Sequence, residues 1–379
     1  MGIEFCASRR NTLGVEWELQ LVDVATRALR PEASAVIATL PRADTEGEHP
    51  SVKHELMEST VELVSGVCDT VDDALADLSR TLAGLRAAAA PRGIAPACAG
   101  AHPFSDWREA VPSPGERYAE LLDELQWPAR QIQTFGVHVH VGVTDRDKVI
   151  PVLNGITAYL PHFLALSASS PFWVGADTGL ASARTLVFGA LPTAGPPAPL
   201  GDWTDFEEFL VALQRAGTIR SIREVWWDVR PHPDFGTVEL RVCDGLPTLR
   251  EIGMVAALAQ SLVHRFEVLL DRGVTLPRPA AWLVKENKWR AARHGLDAAV
   301  ISDRAGCTRA LRECIRELAA DLAPVSAELG CSAHLATVEE VLAKGASYAR
   351  QRRVVAAGGT VADVVDALLR ELASDTIGV

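Results

Sequence analysis

The chain has 379 residues, of which 48% are hydrophobic and 23% charged, and its formal net charge at pH 7 is -12. This composition is typical of a globular protein with ample sequence for a core, and its negative charge argues against a general nucleic-acid or anionic-membrane binder. The seven cysteines are never spaced as Cys-x-x-Cys, which argues against a disulfide framework or a zinc ribbon.

No basic segment followed by an apolar stretch opens the chain, and the longest mainly apolar run, about residues 252–263, is too short to span a bilayer. We therefore expect a cytoplasmic protein that has neither a membrane nor a nucleic acid as its partner.

Strand patterns dominate the first part of the chain. They predict strands over residues 12–24, 52–64, 94–98 and 136–143, and helical spacing predicts helices over residues 71–90, 116–126 and 145–166. Residues 192–203 hold four prolines and two glycines. This segment is predicted to be a surface connection and is the best candidate for a mobile flap or a domain seam.

Helix patterns dominate the last part. After two strands predicted over residues 224–229 and 236–243, apolar residues recur at helical spacing over residues 249–271, 284–294, 308–329 and 338–355. Long connections between the strand segments favour an antiparallel or mixed sheet covered on its apolar face by helices, which is an α+β fold. Because no Walker loop or Gly-x-Gly-x-x-Gly turn is present, any nucleotide must be held through metal and arginines.

Four strand segments carry apolar residues on one parity and ionisable residues on the other. They are residues 15–19 (VEWEL), 57–63 (MESTVEL), 137–141 (VHVHV) and 238–242 (VELRV). Because successive side chains of a strand point to opposite faces, each segment collects its ionisable groups on one side. The simplest assembly is one sheet with an apolar back and a charged front.

The predicted front is strongly acidic. Its carboxylates outnumber one arginine and two largely neutral histidines, and they are Glu16, Glu18, Glu58, Glu62 and Glu239. Packed carboxylates repel one another unless they are neutralised, so the pattern predicts divalent metal. Oxygen-rich sites suit Mg2+ or Mn2+, which take substrate phosphates as further ligands and thus indicate a nucleotide.

The second segment leaves a choice of glutamate open. Parity places Glu58 and Glu62 on one face and Glu55 on the other. Glu55 can join the front only if the strand starts or bulges between these positions.

Other residue types also fall on the predicted front. His138 and His140 share one strand face, and this arrangement could serve a metal or phosphate site. Cys243 shares the parity of Glu239 and could line the site, but it lacks a local partner for thiolate formation.

Several arginines could recognise phosphate or carboxylate, since the guanidinium group matches both with paired hydrogen bonds. The candidates are Arg230 and Arg241 in the strand segments, with Arg184, Arg290 and Arg293 in neighbouring segments.

Together these segments resemble the carboxylate-amine ligases of the bacterial glutamate-cysteine ligase type, within the glutamine synthetase superfamily. The resemblance rests on residues 12–23 (TLGVEWELQLVD), 54–62 (HELMESTVE), 136–142 (GVHVHVG), 166–173 (LSASSPFW), 177–182 (DTGLAS), 226–231 (WWDVRP), 235–241 (FGTVELR) and 286–290 (ENKWR). These blocks occur in order and cover about residues 12–295.

The resemblance implies a curved, mainly antiparallel sheet with helices on its convex face, as in the catalytic domain of glutamine synthetase. It implies that the concave face binds ATP, two or three Mg2+ ions and an acidic amino acid. We expect one catalytic domain over residues 1–379, with a helical C-terminal portion from about 302–379.

By similarity, Glu16 and Glu18 would contact different metals, Glu55 with Glu62 would complete one site, and His138 with Glu239 would complete another. The resemblance thus prefers Glu55 where parity prefers Glu58. It also implies a set of nucleotide and phosphate contacts, which comprises Arg230, Arg241, His140, Arg184, Asn287 and Arg290, with Arg230 and Arg241 as the catalytic arginines.

The predicted reaction begins when a carboxylate, with glutamate favoured, attacks the γ-phosphate of ATP to give an acyl phosphate and ADP. An amine, with cysteine as the candidate, then displaces phosphate to form an amide. Alternatives are a phosphotransferase acting on an amine or guanidine, a zinc-retaining hydrolase, and a non-catalytic ligand-binding relative. Exposed sheet edges and the resemblance favour a homodimer.

Overall fold

The structure is a computed structural model that describes residues 3–41 and 49–378. The strands are β1 (Leu13–Asp23), β2 (Val52–His54), β3 (Thr60–Val64), β4 (Ile94–Ala97), β5 (Gly136–Gly142), β6 (Phe172–Trp173), β7 (Ala176–Asp177), β8 (Val229–His232), β9 (Thr237–Asp244), β10 (Ala299–Ile301) and β11 (Thr308–Ala310). The α-helices are α1 (Ala33–Ile37), α2 (Val71–Ala89), α3 (Glu116–Leu125), α4 (Trp127–Arg130), α5 (Arg146–Thr157), α6 (Leu160–Ser167), α7 (Arg184–Phe188), α8 (Trp203–Arg215), α9 (Leu249–Asp271), α10 (Ala281–His294), α11 (Leu311–Glu328), α12 (Ser332–Leu335), α13 (Thr337–Lys344), α14 (Ser347–Ala356) and α15 (Val361–Ser374).

Seven strands form one open sheet in the order β2-β3-β1-β5-β9-β8, with β4 beside β1. Every pairing in this sheet is antiparallel. β1 is central: one edge pairs with β3, and the other pairs first with β5 and then with β4. The predicted α+β fold with a mainly antiparallel sheet is therefore confirmed.

The two faces of the sheet differ as the alternation predicts. Val15, Trp17 and Leu19 of β1 are fully buried in the core, whereas Glu16 and Glu18 between them are half-buried on the other face. Helices α2, α5, α6 and α9 pack against the strands, and α11, α12 and α13 pack in turn on α9. Helices α11, α12 and α13 thus form an outer layer behind α9, whereas α15 packs against β4.

Helix α9 is a core helix, although it is long and apolar enough to cross a membrane. Its most apolar 18-residue window is 83% buried inside the protein. Among the other helices of the described residues, only α5 and α6 taken as one pass the same test, and they meet at a bend of 60°. The apolar run at residues 252–263 therefore lies within a longer, 23-residue buried helix.

Several predicted element boundaries were wrong. The strand predicted over residues 52–64 is broken between β2 and β3, and β8 begins only at the last residue of the strand predicted over residues 224–229. The helix predicted over residues 145–166 divides into α5 and α6, which meet at a bend of 60°; Pro161 lies in the first turn of α6, where its missing N–H is tolerated. The helix predicted over residues 338–355 divides at Gly345, whose φ of 89° favours glycine.

Candidate active site

Four ionisable side chains of β1, β3 and β5 meet on the front of the sheet. Glu18 lies opposite Glu62 of β3, and Glu16 lies opposite His138 of β5. Directly opposed residues of an antiparallel pair share one face, so the register itself assembles this cluster. His138 Nδ1 and Glu16 Oε2 are hydrogen-bonded at 2.9 Å.

The cluster continues across β9 to β8. His140 lies opposite Glu239, and Glu239 lies opposite Arg230. Glu239 is only 1% exposed. Its Oε2 accepts hydrogen bonds from Nε and Nη2 of Arg230 at 2.9 and 2.7 Å, and its Oε1 is paired with Arg241. A buried carboxylate thus fixes two guanidinium groups at the end of the acidic row.

Three groups of potential metal ligands lie along this face, and we call them together the acid strip. They are Glu18–Glu55–Glu62, Glu16–Glu62–His138 and Glu16–His140–Glu239. Within each group, one ligand atom per residue lies within 4.8 Å of the others. Because Glu16 and Glu62 each belong to two groups, the strip is continuous.

The structure places Glu55, and not Glu58, beside the strip. β2 ends at His54, so Glu55 lies in the connection to β3 and does not follow strand alternation. Glu58 instead accepts hydrogen bonds from the backbone N–H and the hydroxyl of Ser34, at 3.1 and 2.5 Å. Its carboxylate is used to hold the first turn of α1.

His140 joins Glu16 and Glu239 in one of these groups, and His138 Nδ1, which the resemblance pairs with Glu239, lies 4.0 Å from Glu239 Oε1. His140 Nδ1 is hydrogen-bonded to Thr237 Oγ1 at 3.0 Å. Its buried Nε2 lies 3.3 Å from Glu16 Oε1 and 3.8 Å from Glu239 Oε1 and has no hydrogen-bond partner among the described residues. A ring held through one nitrogen while the other faces two carboxylates fits a metal ligand.

Burial makes the two ends of the strip electrostatically different. Burial, followed by the charge of Glu18, raises the pKa of Glu55 to about 8. Burial and the charges of Glu16 and Glu55 raise the pKa of Glu62 well above its usual range. Burial also acts to raise the pKa of Glu239, but Arg241 and Arg230 outweigh it and hold that pKa low. At the Glu239 end, Arg230 and Arg241 therefore balance the buried carboxylate.

This imbalance predicts how stability depends on pH without metal. A carboxyl whose folded pKa exceeds its unfolded value stabilises the protein below the unfolded value and loses that contribution as pH rises through the folded one. In EDTA, the free energy of unfolding should therefore fall between about pH 5 and pH 8 through Glu55. Denaturant unfolding across this range measures it. Mg2+ and, separately, Glu55→Gln should each flatten the slope, and an unchanged slope in both would contradict the electrostatic account.

Three further predicted nucleotide contacts lie in α7 and α10. Arg184 is buried, with Nη2 donating to the carbonyl of Arg241 at 3.5 Å. Asn287 exchanges two hydrogen bonds with the backbone of Ile301, and Arg290 binds Glu286 and the carbonyl of Ala299. Among the described contacts, neither Asn287 nor Arg290 bonds to the acid strip, and their role in nucleotide binding stays a prediction.

Cys243, which strand parity alone would allow on the front, lies in the core. The pairing of β5 with β9 shifts register between Val137 and Val139, which places Cys243 opposite the core residue Val137. Burial raises the pKa of its thiol to about 12. A bulge in the pairing therefore turned the side chain to the apolar face, where it cannot act as a nucleophile.

Sequence reasoning missed the ion pair between Asp228 and Lys288. Lys288 Nζ lies 2.7 Å from Asp228 Oδ1, and both side chains are nearly buried. Asp228 shares the parity of Arg230, which was a usable signal. No sequence signal pointed to its partner, because Lys288 lies 60 positions later in the chain.

Comparison with known proteins gives consistent matches. Residues 12–367 match the family model described as glutamate-cysteine ligase family 2 (GCS2). A protein of Thermobifida fusca (strain YX), which has the provisional name glutamate–cysteine ligase 2, is 58% identical over 371 residues, covering 98% of this chain and 93% of that protein. A protein of Frankia casuarinae with the provisional name glutamate–cysteine ligase 2-1 is 55% identical over 373 residues, covering 98% of each.

Solved structures share the fold at low sequence identity. The glutamate–cysteine ligase of Francisella tularensis, solved in complex with AMP, matches with a TM-score of 0.67 at 13% sequence identity. The match covers 97% of this chain and 89% of that protein's chain. A bifunctional glutathione synthetase from Pasteurella multocida matches with a TM-score of 0.64 at 15% sequence identity. That match covers 96% of this chain and 52% of the synthetase chain.

Proposed function

Because the chain belongs to the glutamate-cysteine ligase family 2, a family of ATP-dependent carboxylate-amine ligases, we propose that it joins the carboxylate of an amino acid to an amine. Glutamate is the favoured acid and cysteine the candidate amine. The proposed reaction converts ATP to ADP and phosphate through an acyl phosphate.

The acid strip is the observation that carries this proposal. Its metal ligands would be Glu16, Glu18, Glu55, Glu62, His138, His140 and Glu239. Carboxylate oxygens with a minority of imidazole nitrogens suit Mg2+, with Mn2+ as a substitute. When bound, the cations would offset the charge of the phosphate oxygens and polarise the γ-phosphoryl group.

The chain's arginines supply the remaining electrostatic part of the proposed mechanism. Arg230 and Arg241 are held by Glu239, so their positive charge is already oriented before substrate arrives. Arg241 Nε is buried and has no hydrogen-bond partner among the described residues, which leaves it able to donate to a phosphoryl oxygen. Preorganised donors of this kind stabilise the charge that develops during transfer.

The proposed chemistry has two steps. A carboxylate oxygen attacks the γ-phosphorus, the bond to the bridging oxygen breaks, and ADP leaves. The amine nitrogen then attacks the acyl carbon, phosphate leaves with the electron pair of the broken C–O bond, and the nitrogen loses a proton. Neither step requires a covalent bond to the protein.

The test is ADP release in Mg2+ across pairs of amino acids and amines, with the product identified by mass spectrometry. We expect sustained release only when an acid and an amine are both present, and an amide as the product. ADP release with a phosphorylated amine would indicate a phosphotransferase. Turnover that needs zinc but no ATP would indicate a hydrolase.

We further propose that residues 1–379 form one catalytic domain and that the enzyme acts in the cytoplasm as a homodimer. Trp282 and Trp289 support a subunit interface, because they are 52% and 47% exposed and lie seven positions apart on α10. Residues at this spacing share one helix face. Light scattering should give twice the protomer mass.

A further inference from the structure

Helix α3 has an apolar face that the rest of the protein covers only in part. Four apolar residues recur on this face at helical spacing: Tyr118, Leu121, Leu122 and Leu125. Each of the four is half-buried, and no residue of Glu116–Leu125 is buried. Because packing of the apolar face supplies most of a helix's stability in a protein, α3 is seated less firmly than the core helices.

Two contacts tie α3 to segments at the two edges of the sheet. Tyr118 Oη donates a hydrogen bond to the carbonyl of His54 at 2.8 Å, and His54 ends the edge strand β2 directly before Glu55 of the acid strip. Glu120 forms an ion pair with Arg220, in the segment that leads to the opposite edge strand β8. Residues two apart point to nearly opposite sides of a helix, so the two contacts extend in opposite directions.

The tied segments carry groups of the proposed active site. Arg220 is followed closely by Ile222, whose carbonyl accepts a hydrogen bond from Arg230 Nη1 at 3.0 Å. The other tie lies next to Glu55. Since α2, α5, α6 and α9 occupy the back of the sheet, a helix tied to both edges lies on the front side. This position allows α3 to cover the acid strip.

The tie to Arg220 is weak, and the ends of α3 allow it to move as a unit. The side chains of Arg220 and Glu120 are 65% and 43% exposed, and an ion pair in such contact with water contributes little stability. The flanking residues Gly115 and Gln126 have φ of 139° and 48°, so the chain turns away from the helix at both ends. Segments with few buried contacts open at a low free energy.

We infer that α3 is a strap that closes over the acid strip and keeps water from the acyl phosphate. The inference rests on the proposed function. Water that attacked the acyl carbon would expel phosphate with the electron pair of the broken C–O bond and, after losing a proton, regenerate the acid. ATP would then be consumed with no amide formed. A closed strap prevents this loss, because it excludes water while the amine reacts.

The leak through hydrolysis tests the strap. It is the rate of ADP release with ATP and the acid alone, divided by the rate of amide formation once the amine is added. Glu120→Gln and Arg220→Gln should each raise this ratio about two- to fivefold, the shift expected from losing one exposed ion pair. Glu120→Arg combined with Arg220→Glu re-forms the pair with reversed polarity and should lower the ratio again. An unchanged ratio in both single variants would overturn the inference.

The matched control is Glu124→Gln, which removes an exposed carboxylate from the same helix and should leave the leak unchanged. Hydrogen exchange of the α3 amides supplies a readout that does not depend on turnover. Mg2+, a non-hydrolysable ATP analogue and glutamate should together slow this exchange, and less so in Glu120→Gln than in Glu124→Gln. If no amide forms, the proposed function fails, and the exchange then decides the strap: slower exchange supports it, and unchanged exchange overturns it.

Discussion

Glu16→Gln is expected to lower the rate of ADP release about a thousandfold, which is about 4 kcal/mol in the barrier. Glu16 belongs to two of the three ligand groups and lies opposite His138. A neutral amide cannot offset a divalent cation, so two sites would lose a ligand together and the phosphoryl group would lose its electrophilic partner. Steady-state ADP release at saturating ATP and Mg2+ measures this, with circular dichroism to verify folding. Glu18→Gln should act in the same direction.

Glu58→Gln is the matched control for this prediction. It makes the same chemical change at a buried glutamate that lies outside the strip and whose carboxylate binds Ser34. We expect turnover per folded molecule to stay within about twofold and stability to fall by about 1 kcal/mol, the value of one hydrogen bond. Turnover that survives in Glu16→Gln, or is lost equally in Glu58→Gln, would remove Glu16 from the proposed metal site.

The second prediction is that two glutamates of the strip have opposite effects on the stability of the metal-free protein. Glu239→Gln leaves Arg230 and Arg241 without their buried counter-charge and should lower the free energy of unfolding by about 3–5 kcal/mol. Glu62→Gln removes a carboxyl whose pKa is raised by burial and by neighbouring carboxylates, so at pH 8 it should raise that free energy.

Urea unfolding in EDTA at pH 8 measures both effects. ADP release should be lost in both variants, because each glutamate is also a proposed metal ligand. Stability and activity would then change in opposite directions in Glu62→Gln, as expected for charge that is buried for function. Shifts of the same sign in the two variants would contradict the electrostatic description of the strip.

The sequence predicted the parts of the fold that depend on local alternation. The period of two in β1 and β5 identifies both faces of the sheet, and the resulting register brings Glu16 to His138 and Glu18 to Glu62. Alternation is a property of each strand, so it can be recognised without knowledge of the partner strand.

Interruptions of the strands could not be predicted in the same way. The break after His54 frees Glu55 from strand parity, and the register shift opposite Val137 turns Cys243 into the core. Both depend on how two distant segments pair. Glu55 entered the candidate site through the family resemblance, and the ion pair of Lys288 with Asp228 required the folded chain.

Anomalous diffraction from crystals grown with Mn2+ and a non-hydrolysable ATP analogue would test the central claim most directly. We predict Mn2+ peaks within coordination distance of Glu16, Glu18, Glu55 and Glu62, with the triphosphate extending from them towards Arg241. A nucleotide bound elsewhere, or Mn2+ peaks that avoid these carboxylates, would contradict the account.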